Sequence, residues 1–251
     1  MGYLDDKKYT VNLFVPCCMD LFTPSSPYTL IKLLEDTLGE ICYYNTAQTC
    51  CGRQFFLRGE KEAAKELGYQ LMTFFGNGYP IVTPSAACVG YIKKYFKELF
   101  ATTAVPSVLE HVTRNIYELC DYIVNFKKIE RLGNTFAHRV FYFQTCASRN
   151  TCQSIDEALT LLKNTNGITL LTDSDMHLCC SANGEFAQLN NEMSDYFLKM
   201  IVDKIKEYKP EYITASDLHC LQYIDAYLKA QEEENIEVIP LPDILCATGN
   251  I

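Results

Sequence analysis

Thr49-Cys50-Cys51-Gly52 and Leu178-Cys179-Cys180-Ser181 are two adjacent cysteine pairs that divide the chain in the same way. In the first half, 32 residues separate Cys17 from Cys50, and 35 residues follow Gly52 before Cys88. In the second half, 32 residues separate Cys146 from Cys179, and 38 follow Ser181 before Cys220. Two matching spacings of this length in one chain are hard to obtain by chance. One cysteine-based metal-binding or redox unit therefore occurs twice.

The segments around these cysteines set the fold class. Residues 9–16, rich in β-branched and aromatic side chains and stopped by Pro16, read as a buried strand that delivers Cys17 at its carboxyl end. Ser26 and Pro27 open a helix that runs to Leu38, where Gly39 ends it. Residues 40–44 form a second strand, and the loop after it carries Cys50 and Cys51. A helical period covers 58–75. Gly76-Asn77-Gly78 breaks it, and 79–83 is a third strand leading to Cys88 in a strand-to-helix turn. Helices are expected over 89–100 and 107–125.

The second half repeats the scheme. Strands are expected at 138–145, 167–171, 212–215 and 236–239, with helices at 154–164, 185–208 and from Cys220 to 234. Strands alternating with helices give an α/β protein built from βαβ units. The fold is thus two similar halves, each a parallel sheet with its cysteines at the carboxyl-end rim, where open α/β sheets place their sites. Polar residues 127–134, including Gly133, mark the boundary, giving halves of 1–130 and 131–251.

Composition removes whole classes of function. The 251 residues are 48% apolar and 21% charged, enough for a full core. A net charge of −9 argues against nucleic acid and against attachment to anionic lipid, both of which ask for a basic surface. Residues 1–10 carry Asp5, Asp6, Lys7 and Lys8 with no apolar leader, and no run of 18 apolar residues exists to span a membrane. The expected location is cytoplasmic, at most peripheral to the inner face of the membrane through partners. Thiols stay reduced there, so 13 cysteines point to metal or catalysis before disulfides.

Four thiolates converging on a rim suit either tetrahedral zinc or an iron–sulfur cluster. Structural zinc sites use close C-x₂₋₄-C knuckles, which are missing from this chain. Ligands drawn from three loops, and side chains that diverge within each pair, favour the larger centre. The candidate ligands are Cys17, Cys50, Cys51 and Cys88 in one set, and Cys146, Cys179, Cys180 and Cys220 in the other.

The repeated C…CCG…C pattern resembles the cysteine-rich CCG-domain family, which includes a subunit of heterodisulfide reductase and the iron–sulfur subunit of glycolate oxidase. The stretches that carry the likeness are 13–17, 49–52, 84–88, 117–125 and Cys220-Leu221. The resemblance implies iron–sulfur clusters, of 4Fe-4S type and in some members non-cubane, held by these cysteines. It implies an electron-transfer subunit of a complex that oxidises L-lactate or a related 2-hydroxy acid. The partners it implies are a ferredoxin-like iron–sulfur subunit and a third, smaller subunit. The second half departs from the family. Ser181 stands in place of glycine, Asp217 stands where many relatives have a further cysteine, and Phe143 and Ala147 stand where histidines often flank the lone cysteine. That site is open between a different cluster, zinc and no metal.

The remaining candidates have plainer readings. Cys42, Cys120, Cys152 and Cys246 have no place in the repeat and are expected to pack as buried thiols. Cys18 is an extra ligand candidate without a counterpart, because Ala147 occupies its repeat position. Asp217 reads as a helix N-cap or an oxygen ligand. His177 and His219 are expected to hydrogen-bond beside the second site, and His111 and His138 to be structural. No catalytic triad, nucleotide fingerprint or carboxylate pair competes. The hard chemistry therefore belongs to a cofactor.

Overall fold

The computed structural model describes residues 9–102, 104–182 and 185–248. The charged start of the chain, expected to be free of an apolar leader, lies mostly outside the described residues. Strands β1 (Val11–Leu13), β2 (Cys42–Tyr44), β3 (Ile81–Thr83) and β4 (Ile116–Glu118) form a parallel sheet in the order β2-β1-β3-β4. Strands β5 (Arg139–Tyr142), β6 (Thr169–Leu171), β7 (Tyr212–Thr214) and β8 (Glu237–Val238) repeat it as β6-β5-β7-β8. The α/β class and the two similar halves stand as expected.

The helices of the first half are α1 (Cys17–Phe22), α2 (Ser26–Lys32), α3 (Arg53–Leu57), α4 (Lys61–Phe75), α5 (Ala86–Leu99), α6 (Pro106–Asn115) and α7 (Leu119–Asp121). Those of the second are α8 (Ile155–Lys163), α9 (Glu185–Leu189), α10 (Asn191–Glu207), α11 (Leu218–Ala230) and α12 (Leu241–Leu245). Wider π turns at Leu33–Thr37, Tyr122–Phe126 and Ser148–Cys152 extend or replace helices in the crossovers. In α4, Ala64, Gly68, Leu71, Met72 and Phe75 recur at three- and four-residue steps and are buried, which is why this segment is a helix on a sheet face.

Two helix expectations are corrected. The span 107–125 is not one helix, because Ile116-Tyr117-Glu118 pairs with β3, with Thr83 opposite Glu118. An open sheet edge outweighs the helical pattern of three residues. The span 185–208 is broken at Asn190, whose φ of −134° and ψ of 53° are not helical. Helix α5 also starts at Ala86, so Cys88 sits inside its first turn, where the Ser85 hydroxyl accepts from the Cys88 N–H at 3.2 Å.

Side-chain alternation along the strands divides the core. Val11, Leu13 and Val82 point into a core shared with the second half, which contributes Val140, Phe141, Ile213 and Leu221. Phe14 and Ile81 face the other way, onto Phe75, Val89, Ile92 and Phe96. The halves are therefore joined by apolar packing and not only by a linker. At one contact a Cβ on Gly90 of α5 would stand 2.2 Å from the Thr151 hydroxyl, so only glycine lets α5 lie against the Ser148–Cys152 turn.

Candidate metal centres

Each lone cysteine follows a strand end and each pair follows another, as the spacing requires. β1 leads to Cys17, β2 to Cys50 and Cys51, and β3 to Cys88. β5, β6 and β7 do the same for Cys146, the pair Cys179-Cys180, and Cys220. The thiols meet in matched pairs. Sγ of Cys17 lies 3.5 Å from that of Cys50, and Cys51 lies 3.3 Å from Cys88. In the second half, Cys146 and Cys179 are 3.9 Å apart, and Cys180 and Cys220 are 2.7 Å apart. Because Cys50 adjoins Cys51 and Cys179 adjoins Cys180 in sequence, the two contacts of each half join into a chain of four thiols. Among the described residues, no three Cys, His, Asp or Glu groups already surround one point as a finished metal site.

The electrostatics of the two chains match. The Cys50 thiol is pulled far below its ordinary value because Cys17 donates to it at 3.5 Å and the adjoining Cys51 thiol favours its ionised form, with help from the Gly52 N–H at 3.5 Å. Its ionisation, together with burial, pushes Cys17 and Cys51 up. Cys179 is likewise pulled down by Cys146 and Cys180, which are themselves raised. One thiolate per chain is therefore stabilised, and further ionisation is opposed by like charge in a buried place. A cation removes that opposition, since metal binding ionises thiols and releases their protons. Donor type and placement thus fit a thiolate-held metal or cluster in both halves.

A bridge joins the two sites. Arg53, which opens α3 directly after Gly52, lies near enough to the second site for its charge to favour the Cys179 thiolate and the Asp217 carboxylate. The next residue, Gln54, places its amide nitrogen 3.4 Å from His219 Nε2. The His219 ring also bonds the Ala182 backbone, and burial keeps it neutral. His219 therefore ties the loop after one cysteine pair to the loop after the other, in the hydrogen-bonding role expected of it.

Asp217 holds the N-cap position of α11, as expected, but its side chain is used elsewhere. It makes no side-chain cap on its own helix α11. Its Oδ1 instead accepts from the Ala87 N–H at 2.7 Å and from Ser85 at 3.4 Å, capping α5 of the other half, while Oδ2 accepts from Thr145 at 2.6 Å. Both oxygens are engaged, and burial raises the carboxyl's pKa. Burial also pushes the Cys18 thiol up to about 12, and its carbonyl accepts from Gln222. His111 bonds the Tyr79 carbonyl and Asn115, and His138 faces Glu211, so both are structural.

Sequence reasoning missed Tyr91. It is 3% exposed, and its hydroxyl has no hydrogen-bond partner among the described residues. Burial, with the charges of Cys51, Cys50 and Cys88, raises its pKa. The repeat contained the signal: Tyr91 follows Cys88 by three residues, and Tyr223 follows Cys220 by three.

This chain belongs to the CCG family: the cysteine-rich domain matches residues 11–93 and again 140–225, once in each half. Among curated relatives, it is 29% identical to "Lactate utilization protein A" of Geobacillus thermodenitrificans, over 85% of this chain and 89% of that protein. The Geobacillus kaustophilus protein of the same name is 28% identical, over 94% and 98%. "Uncharacterized protein YkgE" of Escherichia coli is 29% identical over the same shares. A putative Asp/Glu racemase structure from Yersinia pestis aligns over 94% of this chain and 96% of its own at 12% identity. Its TM-score is 0.39, too slight a likeness to bear on function. No described helix is long and apolar enough to cross a membrane.

Proposed function

We propose that this chain is an iron–sulfur electron-transfer subunit in the oxidation of L-lactate or a related 2-hydroxy acid. The observation that carries the reading is the repeated chain of four thiols at each sheet rim in a protein of the CCG family. Cys17, Cys50, Cys51 and Cys88 hold one cluster, and Cys146, Cys179, Cys180 and Cys220 hold the other, each of 4Fe-4S type. The name of the curated relatives supports lactate as the substrate class. Such a cluster supplies one-electron transfer.

The protein's own residues supply the rest. Burial of Cys51, Cys88, Cys180 and Cys220 keeps water from the inner side of each site. Cys17 is exposed, beside Leu21 at 72% and Phe22 at 64% exposure, and forms the edge through which an electron passes to a partner. The resemblance supplies those partners as a ferredoxin-like iron–sulfur subunit and a third, smaller one. A 2-hydroxy acid gives up two electrons, so the purified chain alone should not oxidise lactate with an artificial acceptor.

One observation favours a second reading. The contacts of 3.3, 3.5 and 3.9 Å, unlike the 2.7 Å between Cys180 and Cys220, lie near the edge of a tetrahedron with zinc–sulfur bonds of about 2.3 Å, which is roughly 3.8 Å. A zinc-bound structural subunit would look the same at these pairs. Anaerobic purification followed by iron and zinc analysis separates the two. Iron with broad absorption near 400 nm is expected, and zinc without iron would overturn the electron-transfer reading.

A further inference from the structure

We propose that the Tyr91 hydroxyl donates a hydrogen bond to the group held by Cys50, Cys51 and Cys88, and so makes the first site more easily reduced than the second. This inference rests on the iron–sulfur reading above. Its ground is a buried donor with no acceptor of its own. Tyr91 is on α5, one turn beyond Cys88, and the ring is fixed by its neighbours. Phe96 meets it edge-on with centroids 5.3 Å apart, and Phe56, from the helix that follows the first cysteine pair, packs at 5.3 Å. The ring cannot swing its hydroxyl into solvent without unpacking this cluster. Tyr91 shares one buried cluster with Cys51 and Cys88, and at three residues beyond Cys88 it lies on the same face of α5, beside the first thiol chain.

The equivalent residue in the second half is placed otherwise. Tyr223 is only half-buried and lies edge-on to His219 with centroids 5.5 Å apart. The second site therefore has a tyrosine at the same offset without a buried, unpartnered hydroxyl. Hydrogen bonds to cluster sulfurs raise the reduction potential, because they stabilise the more negative, reduced form. The step is uptake of one electron from the partner, with no bond made or broken.

The test uses the full chain, purified anaerobically, as wild type, Tyr91→Phe and Tyr223→Phe, with iron measured first. Each is poised at the wild-type first-site midpoint and read by electron paramagnetic resonance and absorption. Tyr91→Phe should lower the reduced-to-oxidised ratio at the first site about tenfold, which is about 59 mV for one electron. Tyr223→Phe should leave both sites unmoved. After chelation, Tyr91→Phe should melt no lower than wild type, because in the metal-free chain the hydroxyl has no bond to lose. An iron-loaded Tyr91→Phe protein with an unchanged ratio, or a lower melting point in its metal-free form, overturns this inference alone. Absence of iron from the wild type overturns the iron–sulfur reading and this inference with it.

Discussion

The two cysteine sites share a plan and differ in how they are finished. In the first, the cysteine pair turns through Gly52 at φ +87°; in the second, Ser181 takes the same left-handed turn at φ +52°. The family's glycine is therefore a backbone requirement, and the second half meets it with a strained serine whose hydroxyl pairs with Ser194 at 3.0 Å. The first site has the buried Tyr91, whereas the second has Arg53 acting on it from across the half boundary and Gln54 meeting its own His219. Departure from a motif at one residue thus does not mean that the geometry is lost. The second half keeps the thiol chain and changes its surroundings.

The largest effect that can break this comparison comes from the ligands. Cys51→Ser should lower bound iron to what the second site alone holds, and Cys180→Ser should do the converse. If Cys51→Ser removes iron and Cys180→Ser does not, the second site is empty and the likeness between halves stops at the backbone. If neither loses iron, the thiol chains are not the ligands.

Next comes the bracket between the halves. Asp217→Ala removes the acceptor of the Ala87 N–H, Thr145 and Ser85, leaving buried donors unpaired at about 1–3 kcal/mol each. A loss of about 4 kcal/mol in chemical denaturation is expected, with much less for Asp217→Asn, which keeps one carbonyl oxygen. A loss below about 1 kcal/mol for Asp217→Ala would show that the shared apolar core alone holds the halves together.

Much of this is legible in the sequence. The spacing of cysteines locates both sites, and seven of the eight strands named above fall where apolar runs meet turn residues. β4 escapes because three residues in a helix-like context carry little local signal, and their strand state comes from pairing with β3. The repeat itself could have supplied it: residues 236–239 read as a strand, and their counterpart in the first half had to be one too. The Asp217 side chain differs from its expected roles for a related reason. Local sequence predicts a cap on the residue's own helix, whereas its actual partners are 72 and 130 residues away. Contacts across the half boundary leave no local trace.

A smaller effect concerns β4, whose last residue has no acidic counterpart in β8. Glu118 is buried and caps α7 by accepting from the Cys120 and Asp121 N–H groups. Burial raises its pKa from 4.5 to about 8. A carboxyl whose pKa is higher in the folded chain favours folding fully below its unfolded value. That contribution is lost as pH rises through about 8. The shift sets a ceiling of several kcal/mol, and on the order of 2–3 kcal/mol is expected after structural relaxation. Glu118→Gln keeps an acceptor for the cap and should flatten the fall in thermal midpoint between pH 5 and pH 9. An equal fall in both proteins would place the titrating group elsewhere.

The smallest effect tests the turn itself. A Cβ at Gly52 would meet the Ala64 carbonyl oxygen at 3.0 Å and Leu67 Cβ at 3.4 Å, besides adopting a left-handed φ. Gly52→Ala should therefore cost about 1 kcal/mol for the backbone and a further ~1 kcal/mol for crowding against α4. Ser181→Gly relieves the same backbone strain but removes the bond to Ser194, a loss of about 1 kcal/mol, so the two terms nearly cancel. Denaturant midpoints of the two variants should differ in this sense, with Gly52→Ala clearly destabilised and Ser181→Gly close to wild type. If Ser181→Gly is destabilised as much as Gly52→Ala, the hydroxyl bond matters more than the turn. The serine would then be a strut between the second cysteine pair and α10, and no longer a tolerated replacement for glycine.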